Sequence, residues 1–130
     1  MGQSKPFRPV ALIVEDDPMQ REMISLLLEE SELDVIQCES AEAAELVLQK
    51  NSGCLALMIT DVYLAGRMSG IELAHLAKQR DPRLDVVVTS GRPLRQPLPD
   101  GAKFWSKPWA PLDVLREAEI ALAIGASASR

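Results

Sequence analysis

Four groups of polar residues in this chain each sit just past an apolar, strand-like run. Glu15, Asp16 and Asp17 follow residues 10–14, Asp61 follows 55–60, Ser90 follows 86–89, and Lys107, ahead of Pro108, follows 102–106. In a parallel sheet these strand ends share one edge, the edge where open α/β sheets bind their ligands. Carboxylate oxygens suit a hard divalent cation such as Mg²⁺. An ammonium and a hydroxyl suit the oxygens of a transferring phosphoryl group. The composition is that of a site for a divalent metal and a phosphoryl group.

The positioning elements can be read from the pattern. Residues 10–14, 55–59 and 86–88 are apolar without alternation, as strands covered on both faces are. Residues 34–38 and 102–105 are shorter and more mixed, which predicts edge strands. Helical segments lie between them. Asp17-Pro18 supplies a cap and a first-turn proline, with Gln20 three residues after the cap. Met19, Met23, Leu26, Leu27 and Glu30 then follow a helical period that predicts the buried stripe. A second helix starts at Ser40 and buries Ala44, Val47 and Leu48. A third starts at Ser69, with Glu72 completing a capping box, and buries Ile71, Ala74 and Ala77. The last starts near Pro111 and buries Leu112, Leu115, Ala118 and Leu122.

Strands alternating with helices give a parallel sheet with helices on both faces. The segment from Ser90 to Lys107 is the exception. It carries Pro93, Pro97, Pro99, Gly91 and Gly101, and proline disrupts a helix interior, so at most an irregular turn is expected there.

The whole chain bounds the function. At 130 residues it is one domain: a tail over 1–8, a folded unit over 9–124 and a tail over 125–130. A net charge of −5 argues against broad nucleic-acid binding, and no run reaches the ~18 apolar residues of a membrane span. The start has no apolar signal core, so a cytoplasmic location is expected. Cys38 and Cys54 have neither metal-ligand nor redox spacing and read as reduced, buried thiols. His75, the single histidine, lies mid-helix and reads as a packing or surface residue.

The residues at 14–18 (Val-Glu-Asp-Asp-Pro), the Asp61 loop ending in Met68-Ser-Gly-Ile-Glu-Leu73, Ser90-Gly91 and Lys107-Pro108 together resemble the receiver domain of bacterial two-component response regulators. The likeness runs from about Val10 to Ala123, and four ordered motifs at strand ends are specific. It implies a flavodoxin-like fold with strand order 2-1-3-4-5 and a shortened or irregular fourth helix. It implies a stand-alone receiver, or one excised from a larger protein. Asp61 would be the phosphoacceptor, attacking the phosphohistidine of a sensor histidine kinase or phosphotransfer protein. A carboxylate needs no activating base, being ionised already. Glu15, Asp16, Asp61 and the main-chain carbonyl of Tyr63 would hold Mg²⁺. Lys107, presented by a cis Lys-Pro bond, and Ser90 would bind the phosphoryl oxygens. Thr89 competes with Ser90, but the family places its hydroxyl before a small residue, and Gly91 follows Ser90. Asp17 reads better as the helix cap. Phe104 would be the switch aromatic, or else an edge-strand core residue. Trp105 and Trp109 read as packing or partner surface.

The chain departs from the family pattern in two places. The stretch from Asp61 to Gly70 is one residue longer, and that from Ser90 to Lys107 is several shorter. The family's output face uses the fourth helix, so the readout surface is expected to differ. The downstream target is a protein that the sequence does not name. Two other readings compete. A phospho-independent pseudo-receiver would lack part of this polar set. A Mg²⁺-dependent phosphatase with an aspartyl nucleophile would need a second Asp two residues on, where Tyr63 stands. The receiver reading makes the chain a signalling domain that catalyses only its own phosphorylation and dephosphorylation.

Overall fold

Among the described residues of a computed structural model, 8–51 and 53–128, the elements are β1 (Val10–Val14), α1 (Pro18–Glu30), β2 (Asp34–Cys38), α2 (Ala41–Lys50), β3 (Leu55–Asp61), α3 (Gly70–Arg80), β4 (Asp85–Ser90), β5 (Lys103–Ser106) and α4 (Pro111–Ala128). The five strands form one parallel sheet in the order β2-β1-β3-β4-β5. Every residue of β3 and β4 is buried, which explains their unbroken apolar runs. The two mixed strands, β2 and β5, are the edges.

Helices cover both faces. Leu12, Val14, Met58, Val86 and Val88 pack under Ala44 and Leu48 of α2 and Leu73, Ala74 and Ala77 of α3. On the other face Ala11, Ile13, Leu57, Ile59 and Val87 pack under Ile24 and Leu28 of α1 and Val114, Ala118 and Ala121 of α4. Each large aliphatic side chain buried here contributes roughly 1.5–3 kcal/mol. The caps are those the sequence signals. Asp17 accepts from the Met19 amide at 2.9 Å, Ser40 from the Ala43 amide at 3.1 Å, and Ser69 and Glu72 form a reciprocal capping box.

The stripe expected on α1 faces the wrong way. Met19, Met23 and Leu26 are exposed, and Ile24, Ser25 and Leu28 are buried. On α4, Leu112 and Leu115 are exposed and Leu122 half-buried, while Val114, Glu117, Ala118 and Ala121 are buried. Both helices are apolar on more than one side, so period alone does not select the buried face. Small Ala118 and Ala121 let α4 approach the sheet in place of the leucines. Cys38 is buried as expected, but Cys54 is exposed. At the ends, Arg8 lies in the stretch expected as a tail, yet its guanidinium donates to the Glu32 carbonyl at 3.1 Å. α4 continues to Ala128, past the boundary at 124. The remainder of the expected tails, 1–7 and 129–130, lies outside the described residues.

No helix joins β4 to β5. The chain crosses from Gly91 to Ala102 in bends and turns, anchored where His75 of α3 meets the Pro97 carbonyl at 2.9 Å. Leu94, Leu98 and Ala102 partly cover the core where a helix would otherwise lie.

Candidate functional site

The parallel register sets the carboxyl ends of four strands side by side. Val14 pairs with Thr60, Asp61 with Thr89, and Ser90 with Ser106. Glu15, Asp61, Ser90 and Lys107 therefore meet at one edge, as the sequence predicts. Lys107 Nζ lies 3.1 Å from Glu15 Oε1 and 3.2 Å from Asp61 Oδ2. Asp61 Oδ1 accepts from the Val62 amide at 2.9 Å. The Lys107 amide donates to the Ser90 carbonyl at 2.8 Å, and the Lys107–Pro108 bond is cis.

Glu15, Asp16 and Asp61 each offer an oxygen within 4.8 Å of the other two. Glu15 and Asp61 are buried and Asp16 is exposed. Burial pushes the Glu15 carboxyl up, and the charge of Asp61 adds to this; the Asp17 amide and Lys107 pull it back. Asp61 is likewise raised by burial, against the opposing pull of Lys107. Burial alone would lower Lys107, but the two carboxylates outweigh it and hold its ammonium above its ordinary value. Three clustered carboxylates with one lysine paired to two of them retain excess negative charge. A hard divalent cation fits this donor set and would relieve that excess.

Asp17 stands apart as the cap of α1, its carboxyl held below its ordinary value by the Met19 amide. The Ser90 hydroxyl is buried and accepts from the Arg92 amide at 3.0 Å. Thr89 is also buried; its carbonyl accepts from the Val62 amide. Tyr63 lies in the loop beyond β3 with its ring exposed, and the Arg92 guanidinium stands over that ring at 5.2 Å. Phe104 is 39% exposed on the sheet face that the missing helix would cover, so it is not the alternative core residue. Trp105 and Trp109 are half-buried against the α1–α4 layer.

Two positioning residues escape the sequence reading. The Glu42 carboxylate on α2 accepts from the amides of Arg67 and Met68 at 3.0 and 2.9 Å, pinning the long loop after Asp61. In the sequence it looks like any acid in a first helical turn. Gly70 packs against Asp61 so closely that a Cβ there would lie 1.8 Å from the Asp61 carbonyl oxygen. Its place in the motif marks it, but only the fold shows the reason.

The model of the response regulator receiver domain matches residues 11–103. The chain belongs to that family. The receiver domain is a signalling domain of two-component systems, and the matched stretch contains the acidic cluster and Ser90. Lys107 lies just beyond it, so its assignment rests on the geometry above. Among solved structures, the receiver domain of the hybrid histidine kinase CckA is 25% identical, with 87% of this chain and 98% of that one aligned at a TM-score of 0.75. A response regulator receiver protein from Sinorhizobium medicae is 17% identical, with coverages of 91% and 97% and a TM-score of 0.80. A CheY-like receiver domain from Methanospirillum hungatei is 22% identical, with coverages of 92% and 98% and a TM-score of 0.75. No curated protein matches the chain. Among the described residues no helix is long and apolar enough to cross a membrane.

Proposed function

We propose that this receiver accepts a phosphoryl group onto Asp61 from the phosphohistidine of a sensor kinase or phosphotransfer protein. The observation that carries this reading is the placement of Lys107 Nζ within 3.2 Å of both Asp61 and Glu15 at the sheet edge. Glu15, Asp16, Asp61 and the Tyr63 carbonyl would hold Mg²⁺, which when bound neutralises charge on the phosphoryl oxygens. In the transfer, an Asp61 oxygen bonds to phosphorus as the phosphorus–nitrogen bond of the donor breaks, and the imidazole takes up a proton. Lys107 stays on the developing charge, and the Ser90 hydroxyl donates to a phosphoryl oxygen. Phe104 is the aromatic whose position reports the state of Ser90.

A protein donor is supported by the surface beside the site. An open groove of about 410 Å³ is lined by Gln20, Met23, Lys107, Pro108, Trp109 and Pro111. Met19, beside it on α1, is 77% exposed. Apolar side chains next to a charged centre suit a helix that presents a single reactive histidine. The test is incubation with acetyl phosphate and Mg²⁺, read by intact mass. One added phosphoryl group that disappears in Asp61→Asn is expected. An unlabelled wild-type chain would leave a phospho-independent binding module, and labelling that persists in the variant would put the phosphoryl group on another residue; either result overturns this reading.

A further inference from the structure

The opposite end of the sheet carries a second charged cluster that the phosphoacceptor chemistry does not use. Asp85 opens β4, Lys103 opens β5, and Glu117 reaches them from the second turn of α4. Lys103 Nζ lies 2.7 Å from Glu117 Oε2 and 3.4 Å from Asp85 Oδ1. Glu117 and Asp85 are 4% and 7% exposed, so neither carboxyl is solvated in the ordinary way.

The proton balance of this cluster is uneven. One ammonium faces two buried carboxyl groups. Asp85 Oδ2 is the one buried side-chain polar atom without a partner among the described residues. A buried carboxylate oxygen left bare is costly, and a protonated carboxyl beside it would satisfy it. Glu117, held by the same ammonium, is the neighbouring carboxyl group that could supply it. Burial first, then the neighbouring Asp85 carboxyl group, push its carboxyl up to about 7 against the pull of Lys103. The other elements packed on α4 supply no competing charge. α1 and β3 contribute Ile24, Leu28, Ala56 and Leu57 to this layer. Arg21, the half-buried cation of α1, is committed to the Glu15 carbonyl and the Gln37 side chain, with Glu39 at 3.9 Å. On α4 itself Arg116 and Glu119 are exposed, and Asp113 accepts from the Ala110 amide.

We propose that Asp85, Lys103 and Glu117 form a one-proton latch, in which a proton shared by the two carboxyl groups seats α4 on the β4–β5 edge and its loss loosens that seat. With the proton, the cluster is one acid, one carboxylate and one ammonium, and Asp85 Oδ2 has a donor. Without it, two carboxylates repel each other in a poorly solvated corner with one cation between them. The helix gripped by this corner lies beside the strand that leads into Lys107. Exposed Phe104 lies on that same strand, next to Lys103, so the latch sits at the edge whose surface departs from the family pattern. The latch does not depend on phosphorylation of Asp61.

The sign of the pH effect is fixed. Between the ordinary 4.5 and about 7, the folded chain holds a proton on Glu117 that the unfolded chain has lost. Stability from this group is therefore fully present at low pH and declines as pH rises through that window, flattening above it. The experiment is denaturant unfolding of the wild-type chain and Glu117→Gln from about pH 5 to about pH 8, which spans the titration. Glutamine keeps a donor toward Asp85 and cannot titrate. The wild-type unfolding constant, divided by that of E117Q, is expected to rise by up to about tenfold per pH unit within the window. A ratio that stays level would overturn the latch. Should E117Q not fold, amide exchange in the wild-type chain decides, after correction for the intrinsic pH dependence of exchange. Protection in α4 that falls from acid to alkaline pH while β1 and β3 stay protected supports the latch, and protection that does not change refutes it.

Discussion

The two ends of the sheet hold nearly the same ingredients and use them differently. At the carboxyl end, Glu15 and Asp61 hold Lys107, with Asp16 beside the two carboxylates. At the amino end, Asp85 and Glu117 surround Lys103. In both places burial raises a carboxyl group and carboxylates hold a lysine in its charged form. The difference lies in what can approach. The carboxyl-end cluster includes exposed Asp16 and opens onto the groove beside Met23 and Trp109, so its excess negative charge can be met by a divalent cation, with open space beside it for a phosphoryl group. In the amino-end cluster both carboxyl groups are buried under α4 and only the lysine reaches solvent, so its imbalance is one that a proton can meet. Access, more than composition, assigns a charged cluster its chemistry.

The largest effect that would separate the two clusters is kinetic. Lys107→Ala is expected to slow labelling of Asp61 by acetyl phosphate by about 10²–10³-fold, as when one preorganised donor to a developing charge is removed. Lys103→Met should leave that rate close to wild type, because its ammonium lies at the other end of the sheet. A comparable slowing in K103M would mean that the clusters act as one. The next effect is on stability. Above neutral pH, K103M leaves two buried carboxyl groups without their cation. The side chain of Lys103 is 40% exposed, which moderates the cost, and a loss of about 1–2 kcal/mol in denaturant unfolding is expected. Acidification should recover much of that loss, because Glu117 can then take up its proton.

The clusters were also unequally legible. Glu15, Asp16, Asp61, Ser90 and Lys107 each follow an apolar run, and a parallel sheet must bring such positions together. The caps at Asp17 and Ser69 were readable because they depend on neighbours within three residues. The amino-end cluster had no such signal. Asp85 precedes a valine run, Lys103 sits beside a glycine turn, and Glu117 lies among Arg116 and Glu119, where a solvated helix face is the natural reading. Only the pairing of Lys103 with Val87, two residues past Asp85, reveals that they share a face beneath α4. The buried faces of α1 and α4 differ from the expected stripes for a related reason. With Met19, Met23, Ile24, Leu26, Leu27 and Leu28 on one helix, several stripes satisfy the period, and packing against the partner helix selects among them. The connection from β4 to β5 was the opposite case, since its prolines forbid a regular helix whatever the surroundings.

A carboxyl-carbon NMR spectrum of the wild-type chain places both clusters in one measurement. With Mg²⁺ added near neutral pH, the signals of Asp16, Asp61 and Glu15 are expected to move, while those of Asp85 and Glu117 stay in place. In the same sample, raising the pH through neutrality should titrate Glu117 with or without the metal. Mg²⁺ that moves Glu117, or leaves Asp61 unmoved, would contradict the division of roles between the two ends of the sheet.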